Sequence, residues 1–256
     1  MSLASRFAAG EVLFTAWSNV PDAITIESLC QAPFDAVTLD MQHGGHSDDS
    51  VLRCLKPVAA SGKPGLVRIP VGRFDMASRA LDFGAEAVIA PMINSVDDAR
   101  AFASFMKFPP LGERSWGPAF ALARRKESDS AALLAGDNAH TLAFAMIETR
   151  RAYEALDDIL AVKGIDGVFV GPSDLSIAWT DGAKVAPTLE DMMEAVGIIA
   201  ARARAAGKRA GIYLGDMSIA GRQAKMGYQL FAVGPEARLM STGARALIDQ
   251  ARASFT

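Results

Sequence analysis

The sequence predicts an α/β fold, a (β/α)8 TIM barrel, in a single domain over residues 1–256. Three observations predict it. Eight short apolar runs recur along the chain, amphipathic segments lie between them, and no composition shift or linker divides the 256 residues. Repeated strand-then-helix units imply parallel strands joined by crossover helices. Eight such units in about 250 residues have the size of one barrel. A doubly wound sheet is the alternative arrangement.

The strands are expected at residues 12–17, 35–40, 65–69, 86–91, 142–147, 167–170, 210–214 and 229–233. Between the first two, a helix over 21–30 begins with Pro21, a residue suited to a first helical position. A helix starting near Asp48 should end or kink at Pro57, because proline removes a hydrogen bond from the helix interior. Residues 107–140 make an unusually long connection, with a Pro-Pro step and several glycines that suggest a shaped loop, and "SDSAALLAG" supplies a short helix. In "TLEDMMEAVGIIAARARAAG", Thr188 and Asp191 form a capping pair after Pro187. The apolar stripe there is Leu189, Met192, Met193, Val196 and Ile199. "GRQAKMG" ends at Gly227, a helix C-cap. The final helix, "PEARLMSTGARALIDQARA", carries an apolar stripe that could pack on its own barrel or on a neighbour's.

Composition removes several function classes. Lys plus Arg number 26 and Asp plus Glu 29, giving a net charge of −3, so no basic field for nucleic acid exists. The run Arg124-Arg125-Lys126 is diluted by Glu127 and Asp129 and reads as a solvated face. Cys30 and Cys54 match no metal spacing and read as structural thiols in a reducing compartment. No apolar run is long enough to span a bilayer, and the first residues lack a basic start followed by an apolar block. A cytoplasmic protein is expected.

In a barrel of this kind, chemistry sits at the carboxyl ends of the strands. Strand one delivers Trp17. Strand two delivers Asp40, Gln42 and His43, and strand three ends in Arg68. Strands five and six deliver Glu148 and Asp174, which are 26 residues apart, about one βα unit. Two carboxylates on neighbouring strands at one height repel, so one takes up a proton or a cation neutralises both. An oxygen-only pair suits a hard or borderline divalent ion such as Mg²⁺ or Mn²⁺. The plain alternative is that each carboxylate favours the N-terminus of the helix that follows it. Arg68 has Val67 and Ile69 beside it, and a buried guanidinium needs an anion. That anion is either Asp40 or a substrate carboxylate. His43 lies before two glycines in a loop, as a solvated side chain or a proton carrier. Asp82, at the end of the helix before strand four, would orient His43 if it reached it. His46 reads as a bystander and His140 as a turn residue. Trp17 is either core or site wall. Lys63 and Lys208 fall just before strands, at the wrong end of a barrel for a Schiff base, which speaks against an imine mechanism.

The segments "FDAVTLDMQHGGHS", "VRIPVG", "PPLGERSWG", "MIETRRAYEALDDILAVKGIDGVFVGPSDLS" and "FAVGPEARLM" resemble the HpcH/HpaI aldolase/citrate lyase family, in particular its metal-dependent class II pyruvate aldolases. The resemblance covers nearly the whole chain, and the block from "IET" to "GPSDLS" is its most specific part. It implies a (β/α)8 barrel whose last helix is exchanged between subunits, in dimers that assemble further, often as homohexamers built as trimers of dimers. It implies that Glu148 and Asp174 ligate a divalent cation, Mg²⁺, Mn²⁺ or Co²⁺. It further implies that Arg68 faces the pyruvyl oxygen and that His43 pairs with Asp82 for proton transfer. Asp40 and Trp17 match positions lining the site, and backbone N–H groups around Gly171, Pro172, Ser173 and Asp174 hold the substrate carboxylate. Three positions depart from the family's type enzyme. Gln42 replaces a glutamate, Met146 a glutamine, and Tyr213 an aliphatic residue of the pocket wall.

The expected function is reversible carbon–carbon bond cleavage of 4-hydroxy-2-oxoacids, with a pyruvate-type oxoacid and an aldehyde as partners. Two rivals stand beside it. One is a lyase acting on coenzyme A thioesters, for which Arg124 and Arg125 offer a basic edge. The other is a non-catalytic barrel that binds an oxoacid.

Overall fold

In a computed structural model of the chain, residues 1–125 and 129–255 are described; Lys126, Glu127, Ser128 and Thr256 lie outside them. A short helix α1 (Leu3–Ala8) leads into β1 (Leu13–Ser18), α2 (Ala23–Gln31), β2 (Ala36–Asp40), α3 (Asp48–Ala60), β3 (Gly65–Arg68), α4 (Asp75–Asp82) and β4 (Ala87–Ala90). The long connection carries α5 (Val96–Met106), α6 (Ala119–Arg125) and α7 (Ser130–His140) before β5 (Leu142–Ile147). Then come α8 (Arg150–Glu154), α9 (Leu156–Ala161), β6 (Gly167–Val170), α10 (Pro172–Trp179), α11 (Glu190–Ala205), β7 (Arg209–Tyr213), α12 (Ala220–Met226), β8 (Leu230–Val233) and α13 (Glu236–Ala253). The eight strands form one closed parallel barrel in sequence order, β1 pairing with β8 through Leu13↔Leu230 and Ala16↔Val233. All eight strand expectations hold, with ends shifted by a residue at most of them.

The period of two along each strand decides what faces inward. Outward residues such as Val37, Leu39, Val67, Val88, Val168 and Ile212 pack under the helices as one core. Inward residues form a second core that includes Leu13, Trp17, Leu66, Ile89, Phe144, Phe169 and Leu230. Leu3 and Phe7 of α1 join that inner cluster, Phe7 lying 6.1 Å from Phe144, so α1 closes the end where the strands begin. The opposite end is left to polar side chains.

Several helix ends differ from expectation. Pro21 stands outside α2, whose N-cap is Asp22, its carboxylate accepting from Thr25 N–H. Helix α3 runs three residues past Pro57. Thr188 does not cap α11: the helix starts at Glu190, with Leu189 as a cap that makes no side-chain bond. Gly227 does end α12, in the left-handed region at φ 113°. His140 is the last residue of α7 and not a turn. The expected helix in the long connection is α7, and α6 is an additional one. Helix α13 buries Glu236 but leaves Met240, Leu247 and Ile248 exposed at 73%, 68% and 52%, so its apolar stripe is not covered by its own barrel. No helix among the described residues is long and apolar enough to cross a membrane.

Candidate active site

The inner layer at the carboxyl end of the strands is set by register. Asp40 sits directly opposite Arg68 in the β2–β3 ladder, and Trp17 stands opposite Thr38 one strand away. Arg68 grips Asp40 with both arms, Nε to Oδ1 at 2.8 Å and Nη2 to Oδ2 at 2.6 Å. The indole of Trp17 donates to the same Oδ2 at 3.2 Å, and the guanidinium carbon lies 4.9 Å from the indole ring centre. Backbone N–H groups of Gln42 and His43 add bonds to Oδ1. Burial alone would raise the Asp40 carboxyl, but Arg68, with Gln42 and Trp17, holds it below the usual range. Asp40 is thus a fixed anion that presents Arg68 to the mouth. Of the two readings open for Arg68, the pairing with Asp40 is what the structure shows.

Glu148 follows β5 and is fully enclosed at 1% exposure. Its Oε1 accepts from the Met92 N–H at 2.7 Å. Its Oε2 lies against Gly171, where a Cβ would stand 2.3 Å away. Burial pushes its carboxyl up to about 7, the charge of Asp174 adds to the rise, and the Met92 N–H and Arg68 oppose it. Asp174 is exposed, in the first turn of α10. A buried carboxylate and an exposed one at one lip, with oxygen donors and no thiol, fit a hard divalent cation. The glycine beside Oε2 leaves space for ligand atoms where a side chain would intrude. No three His, Cys, Asp or Glu side chains among the described residues converge as a ready cage, so most positions around an ion there would fall to water and substrate.

These groups surround a cavity of about 190 Å³. Trp17, Asp40, His43, Arg68, Gly171, Pro172, Ser173, Asp174 and Tyr213 all line it, and Glu148 lies just behind Gly171. Tyr213 is held by a hydrogen bond to Gly234 O at 2.7 Å and meets the Trp17 ring edge-on. Asn19, Met146 and Phe169 complete the wall. Asn19 is a wall residue that the strand ends alone do not reveal; its place two residues past the inward Trp17 is the available signal.

Asp82 does not meet His43 within this chain. It ends α4, on the side where β4 begins, and bonds Arg114 at 2.7 Å. Burial raises its carboxyl and Arg114 opposes that. A helix that returns from the mouth to the strand starts cannot set its last residue beside His43 of the same chain. His43 keeps an exposed ring at the rim. His46 is no idle surface residue: it is buried between Ser18 Oγ at 3.0 Å and Ser50 Oγ at 3.2 Å, and burial lowers its pKa. Lys63 and Lys208 donate to the backbone oxygens of Ala32 and Ile165, away from the mouth.

The model of the HpcH/HpaI aldolase/citrate lyase family matches residues 13–242. The chain belongs to that family. It is 34% identical over 244 residues to a hydroxypyruvate/pyruvate aldolase of Rhizorhabdus wittichii, covering 95% of this chain and 96% of the relative. It is 32% identical to the 4-hydroxy-2-oxo-heptane-1,7-dioate aldolase of Salmonella typhimurium, covering 93% and 90%. The crystal structure of an HpcH/HpaI aldolase from Desulfitobacterium hafniense superposes with a TM-score of 0.87 at 26% identity, covering 97% of this chain and 96% of that one. Aldolase relatives along nearly the whole length make this family member a carbon–carbon lyase.

Proposed function

We propose that the chain is a divalent-metal-dependent aldolase of 4-hydroxy-2-oxoacids, with the enolate of pyruvate or hydroxypyruvate as nucleophile and an aldehyde as acceptor. The names of the relatives support the substrate class. The observation that carries the reading is the enclosed Glu148 beside Asp174 at the same small cavity that presents Arg68.

Glu148 and Asp174 would hold the cation, Mg²⁺, Mn²⁺ or Co²⁺, which when bound supplies Lewis-acid polarisation of the 2-oxo group. The N–H groups of Gly171, Ser173 and Asp174, at the start of α10, bind the oxoacid carboxylate. Arg68 has Nε and Nη2 committed to Asp40, which leaves Nη1 to face the oxygen where enolate charge develops. Trp17 stacks over that guanidinium and excludes water from it. In cleavage, His43 takes the proton from the C4 hydroxyl, the C3–C4 bond breaks, and the aldehyde leaves. The enolate carbon then takes up a proton. His43 does this without Asp82, which Arg114 holds elsewhere in this chain. Tyr213 and Met146 shape the wall on the acceptor side.

The coenzyme A rival loses its basic edge. Arg124 donates to the backbone oxygens of Phe83 and Leu52, and Arg125 to Asp137; Lys126 and Glu127 lie outside the described residues. We further take the chain to be a homo-oligomer, a hexamer as a trimer of dimers, because the uncovered stripe of α13 suits exchange with a second copy. Buried, unpaired Cys30 and Cys54 suit a cytoplasmic setting.

Stripping divalent ions with a chelator and restoring Mg²⁺, Mn²⁺ or Co²⁺ in turn tests the reading. Deuterium exchange into the methyl group of pyruvate should vanish and return with the ion, as should aldehyde release. Exchange that survives complete stripping rules the reading out, and an absence of exchange under all ions favours a mere oxoacid binder.

A further inference from the structure

Four polar side chains of the cavity wall, Trp17, Asp40, Arg68 and Tyr213, are already committed within the protein. The Trp17 indole and the Arg68 fork are bonded to Asp40, and the Tyr213 hydroxyl to Gly234 O. Asn19 differs. It lines the cavity, and its Oδ1 is buried with no hydrogen-bond partner. Asn19 is half-buried, and among the described residues no hydrogen bond of its side chain is found, so the end of the amide that stays accessible is free to meet a ligand in the cavity.

The backbone around Asn19 is fixed from several directions. Its N–H donates to Glu236 Oε2 at 2.9 Å, and the next N–H, of Val20, to Glu236 Oε1 at 3.3 Å. Its carbonyl accepts from Gly45 N–H at 2.8 Å. Gly44 packs so closely that a Cβ there would stand 2.9 Å from the Asn19 Cα. The side chain therefore has a held root and a free functional group, the arrangement of a preorganised contact.

We infer that Asn19 is a specificity-determining residue whose side-chain amide hydrogen-bonds a hydroxyl group of the substrate, so that hydroxylated reactants are preferred to their deoxy counterparts. A hydroxyl both donates and accepts, so it satisfies whichever end of the amide faces the cavity. The hydroxyl belongs either to C3 of a hydroxypyruvate-type donor or to the carbon beside the aldehyde of the acceptor. The inference rests on the aldolase reading above.

The test measures kcat/KM for wild type, Asn19→Ala and Asn19→Leu with the cation present. Four reactant pairs are used: pyruvate or hydroxypyruvate, each with acetaldehyde or glycolaldehyde. Both substitutions spare the backbone bonds, and melting curves check that the fold is kept. The wild type should prefer one hydroxylated reactant, and both variants should lose roughly ten- to hundredfold on that reactant while staying within about threefold on its deoxy counterpart. Loss confined to hydroxypyruvate places the hydroxyl on the donor; loss confined to glycolaldehyde places it on the acceptor. Calorimetric binding of pyruvate and hydroxypyruvate without aldehyde should show the same selective loss if the donor carries it. Equal losses on all pairs, or an unchanged preference, overturn the assignment. A wild type active without hydroxyl preference overturns it alone, whereas a wild type inactive on all four pairs overturns the aldolase reading and this assignment with it.

Discussion

Arg68 and Asp40 meet side by side across neighbouring strands, joined by two hydrogen bonds of 2.8 and 2.6 Å in a wall closed to water. Two effects are entangled in that pair. Arg68→Ala would leave Asp40 enclosed without its counter-charge, which costs about 3–5 kcal/mol of stability. It should also lower kcat by about a hundredfold or more, the usual scale for removing one group from developing oxyanion charge. Replacing both partners with apolar residues, Arg68→Met with Asp40→Leu, separates the two: melting temperature should recover while turnover stays lost. Turnover that recovers with the melting temperature would mean that the pair is structural only.

Gly171 should tolerate no side chain. In Gly171→Ala the new methyl meets Glu148 Oε2 at 2.3 Å and Met146 Cε at 3.0 Å, so Glu148 must move. Divalent-ion affinity measured by calorimetry should fall about tenfold or more, as expected when the positioning of a ligand is disturbed. The helix after it, α10, should persist in circular dichroism, since Gly171 lies outside it.

The carboxyl of Glu148 should make stability of the ion-free protein depend on pH. Its folded value of about 7 lies above the ordinary 4.5, so the folded state holds a proton that the unfolded state has lost. Stability is then greatest below about 4.5, falls as pH rises towards 7, and levels off beyond, by about 3 kcal/mol at most. Urea denaturation at pH 5, 6, 7 and 8 with a chelator present checks the slope. Saturating divalent ion should abolish it, because binding needs the ionised form and its affinity should rise over the same range.

Cys54 should be inert in the native protein. Burial pushes its thiol up to about 11, so at pH 8 it is neutral as well as enclosed. Alkylation followed by mass spectrometry should label it only at the rate of unfolding. The contribution of the neutral thiol to stability is present below about pH 9 and lost as pH rises towards 11. Prompt labelling at pH 8 would contradict the enclosure.

The strands were legible because a parallel sheet covered on both faces turns each strand into a continuous apolar run, as "LAFAMI" shows at β5. Their ends then located Asp40, Arg68 and Glu148, since a period of two allows only one inward choice at each mouth, whereas Asp174 lies past β6 in the first turn of α10. Helix starts were less legible. Thr188 satisfies the local capping rule and Leu189 does not, yet the helix starts at Glu190 with Leu189 as its cap, set by the tertiary path of the chain after α10. Helix α6 is not legible because its 7 residues lie in a stretch marked by proline, glycine and charge. For Asp82 the rule that sets Lys63 and Lys208 aside applies equally: the last residue of a helix that runs into a strand lies at the end of the barrel where strands begin. Asn19 carries no motif; in the sequence only its place two residues past Trp17 speaks for it, and its position on the cavity wall is seen only in three dimensions.

The pairing of β1 with β8 joins Leu13 to Leu230. A ring sealed by its first and last staves has no complete perimeter until almost all of the chain has emerged from the ribosome. Through synthesis β1 therefore offers a bare edge, open to any other extended peptide. Closure comes as the last large contact of the barrel and carries the greatest loop entropy, so substitutions in the β1–β8 seam should chiefly hasten opening of the finished barrel and change the earlier steps of assembly little.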